Sequence, residues 1–178
     1  MGLRTLMLLR EARLSDAAGI GEVHAEAWRV AYRDLFESEF LATQVEARRT
    51  MWSWVMEQPL FTGTTLLVAE RADRVVAFVH FGVSEGRVPK GELYDGYAHP
   101  SAWGSGVAEM LLSGAMEALA DAGCRQVGLW TLAGANRARR FYVKSGYQVS
   151  GRSRETDFGD GRPVLELEYV RGLARPRR

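Results

Sequence analysis

The chain has 178 residues, 47% hydrophobic and 25% charged, the balance of a soluble globular protein and not of a collagen, a long disordered chain or a membrane bundle. At this size folding buries roughly 70% of the unfolded chain's surface, so one domain needs no disulfides or metals to hold it. Lys+Arg at 23 against Asp+Glu at 22 leaves a net charge of +1, which offers no global attraction to nucleic acid or to an anionic membrane.

Met7 to Arg13 reads as a first strand. Ser15 and Asp16 offer an N-cap, and Ile20, Val23, Ala27 and Ala31 recur at helical spacing, carrying a helix to about Tyr32. A second helix starts at Ser38, carries Phe40, Leu41, Val45, Trp52 and Val55, and ends at Pro59. Thr65–Ala69 and Val75–Phe81 are rich in β-formers and form a hairpin around Arg71-Ala72-Asp73-Arg74. Gly82 to Gly91 reads as a loop, and Glu92 to Ala98 as a strand stopped by His99-Pro100.

A glycine-rich turn, Trp103-Gly104-Ser105-Gly106-Val107-Ala108, leads into a helix marked by Val107, Leu111, Ala115, Ala118 and Leu119, with Gly123 as its C′ residue. Gln126 to Leu132 is the next strand. Asn136 caps a short helix that reaches Ser145 and stops at Gly146. Tyr147–Arg154 and Val164–Val170 flank the turn Gly159-Asp160-Gly161, and residues 171–178 form a basic tail that frays. The order β-α-α-β-β-β-α-β-α-β-β predicts a single α/β domain of the α+β type over residues 1–178, with its core at about 7–170, a mixed sheet of about seven strands and about four helices.

Cys124 is the one cysteine, so no intrachain disulfide and no cysteine-based metal site form, and a small buried residue before a strand is its expected role. That usage fits the reducing cytoplasm. The apolar stretch Leu6 to Leu9 is too short for a secretory signal or a membrane span. His24, His80 and His99 show no metal-ligand spacing.

The segment Tyr97 to Leu112 carries the chemistry. A strand runs into glycines and then into a helix start, where free backbone N–H groups and the helix dipole favour phosphate. A Walker loop needs Gly-Lys followed by Ser or Thr, which is missing. A dinucleotide fingerprint needs a third glycine where Glu109 stands, and it would follow the first strand. The third pattern, Gln or Arg, two residues, Gly, one residue, then Gly or Ala, maps onto Trp103, Gly106 and Ala108, with Trp103 departing from it. Tyr97-Ala98-His99-Pro100 precedes it, and Asn136 to Gly146 reads Asn-Arg-Ala-Arg-Arg-Phe-Tyr-Val-Lys-Ser-Gly. With Ala27-Trp28-Arg29 and Ala31-Tyr32-Arg33 near the start, the chain from about Met7 to Val170 resembles the GNAT superfamily of acyl-CoA-dependent N-acyltransferases.

The resemblance implies a splayed, mostly antiparallel sheet with an acyl thioester lying in its V. It implies acetyl-CoA as cosubstrate, with Gly96, Tyr97 and Ala98 along the pantetheine and acyl carbonyl. Gly104, Ser105, Gly106, Val107, Ala108 and Glu109 would surround the pyrophosphate, and Asn136 and Tyr142 would meet the cofactor. Glu109 sets a carboxylate beside that phosphate. Arg137, Arg139 and Arg140 either meet phosphates or form solvated helix surface. Tyr142 resembles the tyrosine that protonates the departing thiolate. Glu92 stands at a spacing like that of a glutamate base in some relatives, and Asp95, on the opposite face unless a bulge rotates it, is the second candidate.

The implied function is N-acetyl transfer to a small-molecule or peptide amine, without nucleic acid or membrane. The alternative is a non-catalytic acyl-CoA sensor or partner-binding protein on the same fold. The acceptor falls near the first two helices and the final hairpin. There Trp28, Tyr32, Phe36, Trp52 and Trp54 are mostly core, and Glu37, Glu39, Asp157 and Asp160 are candidates to attract a cationic amine. The edge strands of the last hairpin leave a homodimer open.

Overall fold

The computed structural model describes residues 6–84 and 88–174. Seven strands form one sheet in the order β1-β2-β3-β4-β5-β7-β6. They are β1 (Met7–Glu11), β2 (Thr64–Arg71), β3 (Arg74–Ser84), β4 (Lys90–Ala98), β5 (Gln126–Leu132), β6 (Gln148–Thr156) and β7 (Val164–Gly172). Five helices are α1 (Ala17–Ala31), α2 (Ser38–Thr50), α3 (Trp52–Met56), α4 (Val107–Asp121) and α5 (Asn136–Lys144). All neighbouring strands are antiparallel except β4 and β5, which run parallel and are joined across the sheet by α4.

Several expected boundaries shift. The expected loop from Gly82 to Gly91 is shorter, because β3 continues to Ser84 and β4 begins at Lys90. The second helix divides: the chain bends at Met51, and Trp52 beyond the bend is buried with its indole donated to His24 Nδ1 at 3.1 Å. The anticipated fraying does not begin at Arg171, since β7 reaches Gly172; residues 175–178 of that tail lie outside the described ones. The turn Ala72-Asp73 takes positive φ at both positions (51° and 57°), which matches a two-residue hairpin loop to the twist of β2 and β3.

The sheet separates two apolar layers. On one face α4 presents Val107, Leu111, Ala115 and Leu119 to Ala77, Val79, Phe81 and Leu93, joined by Val127, Tyr147 and Tyr169. On the other, Ile20 and Val23 of α1 meet Leu66, Val68 and Phe78. Further along the same face Trp28, Tyr32 and Phe36 pack with Leu41, Val45 and Leu132. Helices α1 and α2 approach closely because Gly21 has no side chain; a Cβ there would overlap the Arg49 carbonyl. That contact brings the preceding residue, Arg48, to 3.8 Å over the Trp28 ring. Edge strand β6 is polar and exposed over nearly its whole length, which blunts its unpaired backbone. Among the described residues no helix is long and apolar enough to cross a membrane.

Candidate active site

The parallel pairing of β4 with β5 is short. Gly91 pairs with Val127, Glu92 with Gly128 and Leu93 with Leu129, and there the ladder ends. Beyond Leu93, β4 stays paired to β3 and β5 stays paired to β7, so the sheet opens as a fork. The β4 backbone groups facing β5 past this point have no strand across from them, which leaves donors and acceptors for a guest. The fork opens into a cavity of about 580 Å³.

A bulge sits at the same place. His80 pairs with Asp95 and Phe81 with Leu93, so Tyr94 is an extra residue on β4. Its effect is to reverse the faces. Leu93 joins the α4 layer, whereas Tyr97, across from Phe78, stacks on His24 of α1 at 4.5 Å between ring centroids. Asp95 follows Tyr97, lines the cavity and places Oδ2 3.5 Å from His80 Nδ1. His80 Nε2 lies 2.8 Å from Thr64 Oγ1, and that hydroxyl donates to the Phe61 carbonyl at 2.7 Å. A hydroxyl with its hydrogen already committed must accept from His80, so Nε2 donates and Nδ1 faces Asp95.

At the wide end, Gly104 and Gly106 adopt left-handed φ (76° and 83°), and Gly106 is the N-cap of α4. Among the described residues, chain neighbours aside, no atom lies within 4 Å of a Cβ built on either, so their freedom serves the turn and the space in front of it. Gly104, Gly106, Val107, Ala108 and Glu109 all line the cavity at this helix start. Ser105 does not; its hydroxyl donates back to the Ala102 carbonyl at 2.6 Å and braces the turn. Trp103, which departs from the expected Gln or Arg, donates its indole N–H to the Ala98 carbonyl at 2.8 Å and carries the Arg137 guanidinium 4.1 Å above its ring. A cation therefore reaches the turn from α5. Arg140 and Lys144 also line the cavity, whereas Arg139 is taken up by the Tyr169 hydroxyl and the Ala133 carbonyl.

Of the other expected residues, Gly96, Tyr97, Ala98, Asn136 and Tyr142 line the same cavity. Asn136 is not the cap of α5: the helix begins with it, Ala135 occupies the cap position, and no side-chain capping bond forms. Tyr142 packs edge-on against Phe141 and Tyr147, and among the described residues its hydroxyl has no protein partner. Burial, then the Tyr32 and Asp95 charges, push its phenol far above the ordinary range. Glu92 is the first candidate for the base by sequence. It sits between Gly82 and Gly128, below the fork, and does not line the cavity.

Sequence reasoning missed the inner wall on α1 and α2. His24 is 3% exposed and lines the cavity. Trp52 can only donate to it, so the His24 proton sits on Nε2, and burial lowers its pKa to about 4. Arg48 reaches the same cavity. The signal for His24 was present, since Ile20, His24 and Trp28 fall on one stripe; Arg48 gave none. Among the described residues the loop carboxylates expected to attract an amine are not in the wall. Glu37 pairs with Arg162 at 2.9 Å, Asp157 accepts the N–H groups of Gly159, Asp160 and Gly161, and Asp160 accepts that of Arg162. Cys124 is buried, with its thiol pKa raised by that burial.

A family model described as the acetyltransferase (GNAT) family matches residues 25–147. The PaiA N-acetyltransferase of Thermoplasma acidophilum, solved in complex with coenzyme A, is 18% identical with a TM-score of 0.73, covering 94% of this chain and 99% of that one. A GCN5-related N-acetyltransferase of Rhodopseudomonas palustris is 17% identical with a TM-score of 0.74, covering 97% and 99%. YncA of Salmonella typhimurium, solved with its cofactor acetyl-CoA, is 20% identical with a TM-score of 0.65, covering 98% of each chain. No curated protein matches by sequence.

Proposed function

This chain belongs to the GNAT acetyltransferase family, and from that membership we propose that it transfers an acetyl group from acetyl-CoA to a primary amine. The observation that carries the proposal is the fork beyond Leu93, open on one side to the left-handed Gly104–Gly106 turn at the start of α4 and on the other to Asp95. Backbone N–H groups of the turn and the α4 dipole suit the pyrophosphate, with Arg137 as an added cation. The pantetheine would lie along Gly96, Tyr97 and Ala98, replacing the strand that β4 lacks.

The amine attacks the thioester carbonyl directly, forming a C–N bond and a tetrahedral oxyanion; the C–S bond then breaks and the thiolate leaves. A free β4 N–H stabilises the oxyanion. A lysine-like amine must first lose a proton, which costs roughly 4.6 kcal/mol at neutral pH. Asp95 is the base in this reading. Its carboxylate opens to the cavity and lies 3.5 Å from His80 Nδ1, a neighbour that holds it in place at the fork. Tyr142 is the acid. Its raised pKa keeps the hydroxyl protonated, and the same apolar wall disfavours the charged thiolate, which favours its protonation on departure. The reading carries with it a cytoplasmic enzyme, in which the lone Cys124 needs no partner.

The test is a thermal melt with acetyl-CoA, CoA and NAD added separately, followed by thiol release with an amine panel. A ligand at about 100 times its Kd adds ~2.7 kcal/mol to stability. Stabilisation by both CoA compounds and not by NAD, with amine-dependent thiol release, is the expected result. Stabilisation without turnover of any amine would select the acyl-CoA sensor, a reading favoured by Glu109 on the cavity rim, where it opposes phosphate. No stabilisation by either CoA compound would overturn both.

A further inference from the structure

The acceptor end of the cavity holds a cation that the protein leaves without a counterion. Arg48 comes from α2, and its guanidinium lies over the Trp28 ring. Its Nη1 donates to Gln44 Oε1, a neutral acceptor that is itself tied to the hairpin by donation to the Phe158 carbonyl. Its Nε is sealed from solvent without any hydrogen-bond partner among the described residues. Among the described residues Nη2 has no partner and no carboxylate pairs with Arg48. Asp95 opens to the same cavity, yet the two charges do not form an ion pair. A half-buried guanidinium held this way loses hydration and receives neither an ion pair nor a full set of hydrogen bonds in return.

A second unpartnered donor stands nearby. His24 is almost wholly buried and lines the cavity, with Nδ1 occupied by Trp52 and its proton therefore on Nε2. Among the described residues Nε2 has no protein partner. Thus one wall offers a fixed cation and a neutral N–H donor, and β4 opposite offers one carboxylate. Between them lie the aromatic surfaces of Trp28, Tyr32, Tyr97 and Phe158. The phosphate-binding turn cannot use Arg48, because α2 and α4 cover opposite faces of the sheet.

From this arrangement we infer that the acceptor is an amino carboxylate: its carboxylate is held by Arg48 and the Nε2–H of His24, and its amine is directed to Asp95 at the fork. The inference rests on the acetyl-transfer reading and adds the class of acceptor. It also gives Arg48 the charge-assisted bonds that the protein does not supply. An amine lacking the carboxylate leaves the guanidinium uncompensated, so discrimination arises from what the poorer acceptor fails to satisfy.

The experiment compares matched acceptors at saturating acetyl-CoA: the standard L-amino acids, each beside its amide and its decarboxylated amine. Thiol release gives kcat/KM, and a thermal melt with CoA plus each compound gives binding. We expect at least one amino acid to exceed its decarboxylated partner by about tenfold to a hundredfold, the range for loss of a charge-assisted hydrogen bond. In Arg48→Gln and Arg48→Lys that ratio should collapse toward one, while the stabilisation by CoA alone is kept, which also reports that the variants fold. Decarboxylated amines or amides matching or surpassing every amino acid would overturn the inference, as would Arg48 variants that lower both members of a pair equally. Loss of the CoA response in the wild-type protein is a different failure, that of acetyl transfer itself.

Discussion

His24 ties the stability of the α1 wall of the cavity to pH. Its ring is buried among Trp28, Trp52, Phe78 and Tyr97, and its Nδ1 accepts the Trp52 indole N–H. Burial is the main reason its pKa falls from the ordinary 6.5 to about 4; the Arg48 charge lowers it further and Asp95 opposes. The unfolded chain therefore takes up a proton below about pH 6.5 that the folded chain refuses until about pH 4. This contribution to stability is fully present above the unfolded value and is lost as pH falls through the window between the two. From about pH 7 to about pH 5 the loss is about 2 kcal/mol, at 1.36 kcal/mol per pKa unit. Urea unfolding followed by circular dichroism across that range should show it. His24→Asn keeps an acceptor near the Trp52 indole but cannot titrate, so its stability should be flatter by about the same 2 kcal/mol. Equal slopes for the two proteins over this range would refute a neutral, buried His24.

The remaining predictions concern the chemistry. Tyr142→Phe should lower kcat by about a hundredfold while leaving CoA stabilisation in place, the pattern of a lost general acid; unchanged turnover in a thiol-release assay would remove that role. Asp95→Asn should lower kcat by a similar factor and alter the low-pH limb of the rate profile, whereas Glu92→Gln should leave that limb where it is. The opposite ranking would return the base to Glu92. Gly106→Ala forces a side chain into a left-handed φ of 83° and should cost about 1–2 kcal/mol in a melt without ligand. It should also weaken CoA binding, because the new methyl stands where the cofactor would approach; tight binding by this variant would place the pyrophosphate elsewhere.

Most of the fold was legible because local chemistry and burial point the same way. Gln126–Leu132 is a short apolar run between turn residues, and the strand has those bounds. Gly106, Gly123 and Gly146 all take positive φ at the helix ends where the pattern placed them. The glycine turn and Tyr142 were legible as parts of a motif. Arg48 was not. In Glu46-Ala47-Arg48-Arg49 it reads as solvated helix surface, and only the approach of α1 at Gly21 turns it over Trp28. Asn136 has the composition of a cap, yet the backbone of Ala135 takes that place and Asn136 faces the cavity.

One inserted residue sets Asp95 in the cavity wall, and that residue also explains the fork. Strict alternation sets Leu93, Asp95 and Tyr97 on one face, and an apolar-polar-aromatic run carries no sign of a bulge. In the structure Tyr94 is extra, and the last β4–β5 pair is Leu93–Leu129, immediately before it. A bulge increases local twist and bends its strand, so β4 can follow β3 while leaving β5. The same insertion turns Asp95 away from the α4 layer toward His80 and the cavity. The opening of the fork and the placement of Asp95 in its wall are thus two consequences of a single backbone irregularity. Each is stabilised by neighbours that hold β4 after the bend: Phe78 across from Tyr97, His24 stacked on it, and the Trp103 indole on the Ala98 carbonyl.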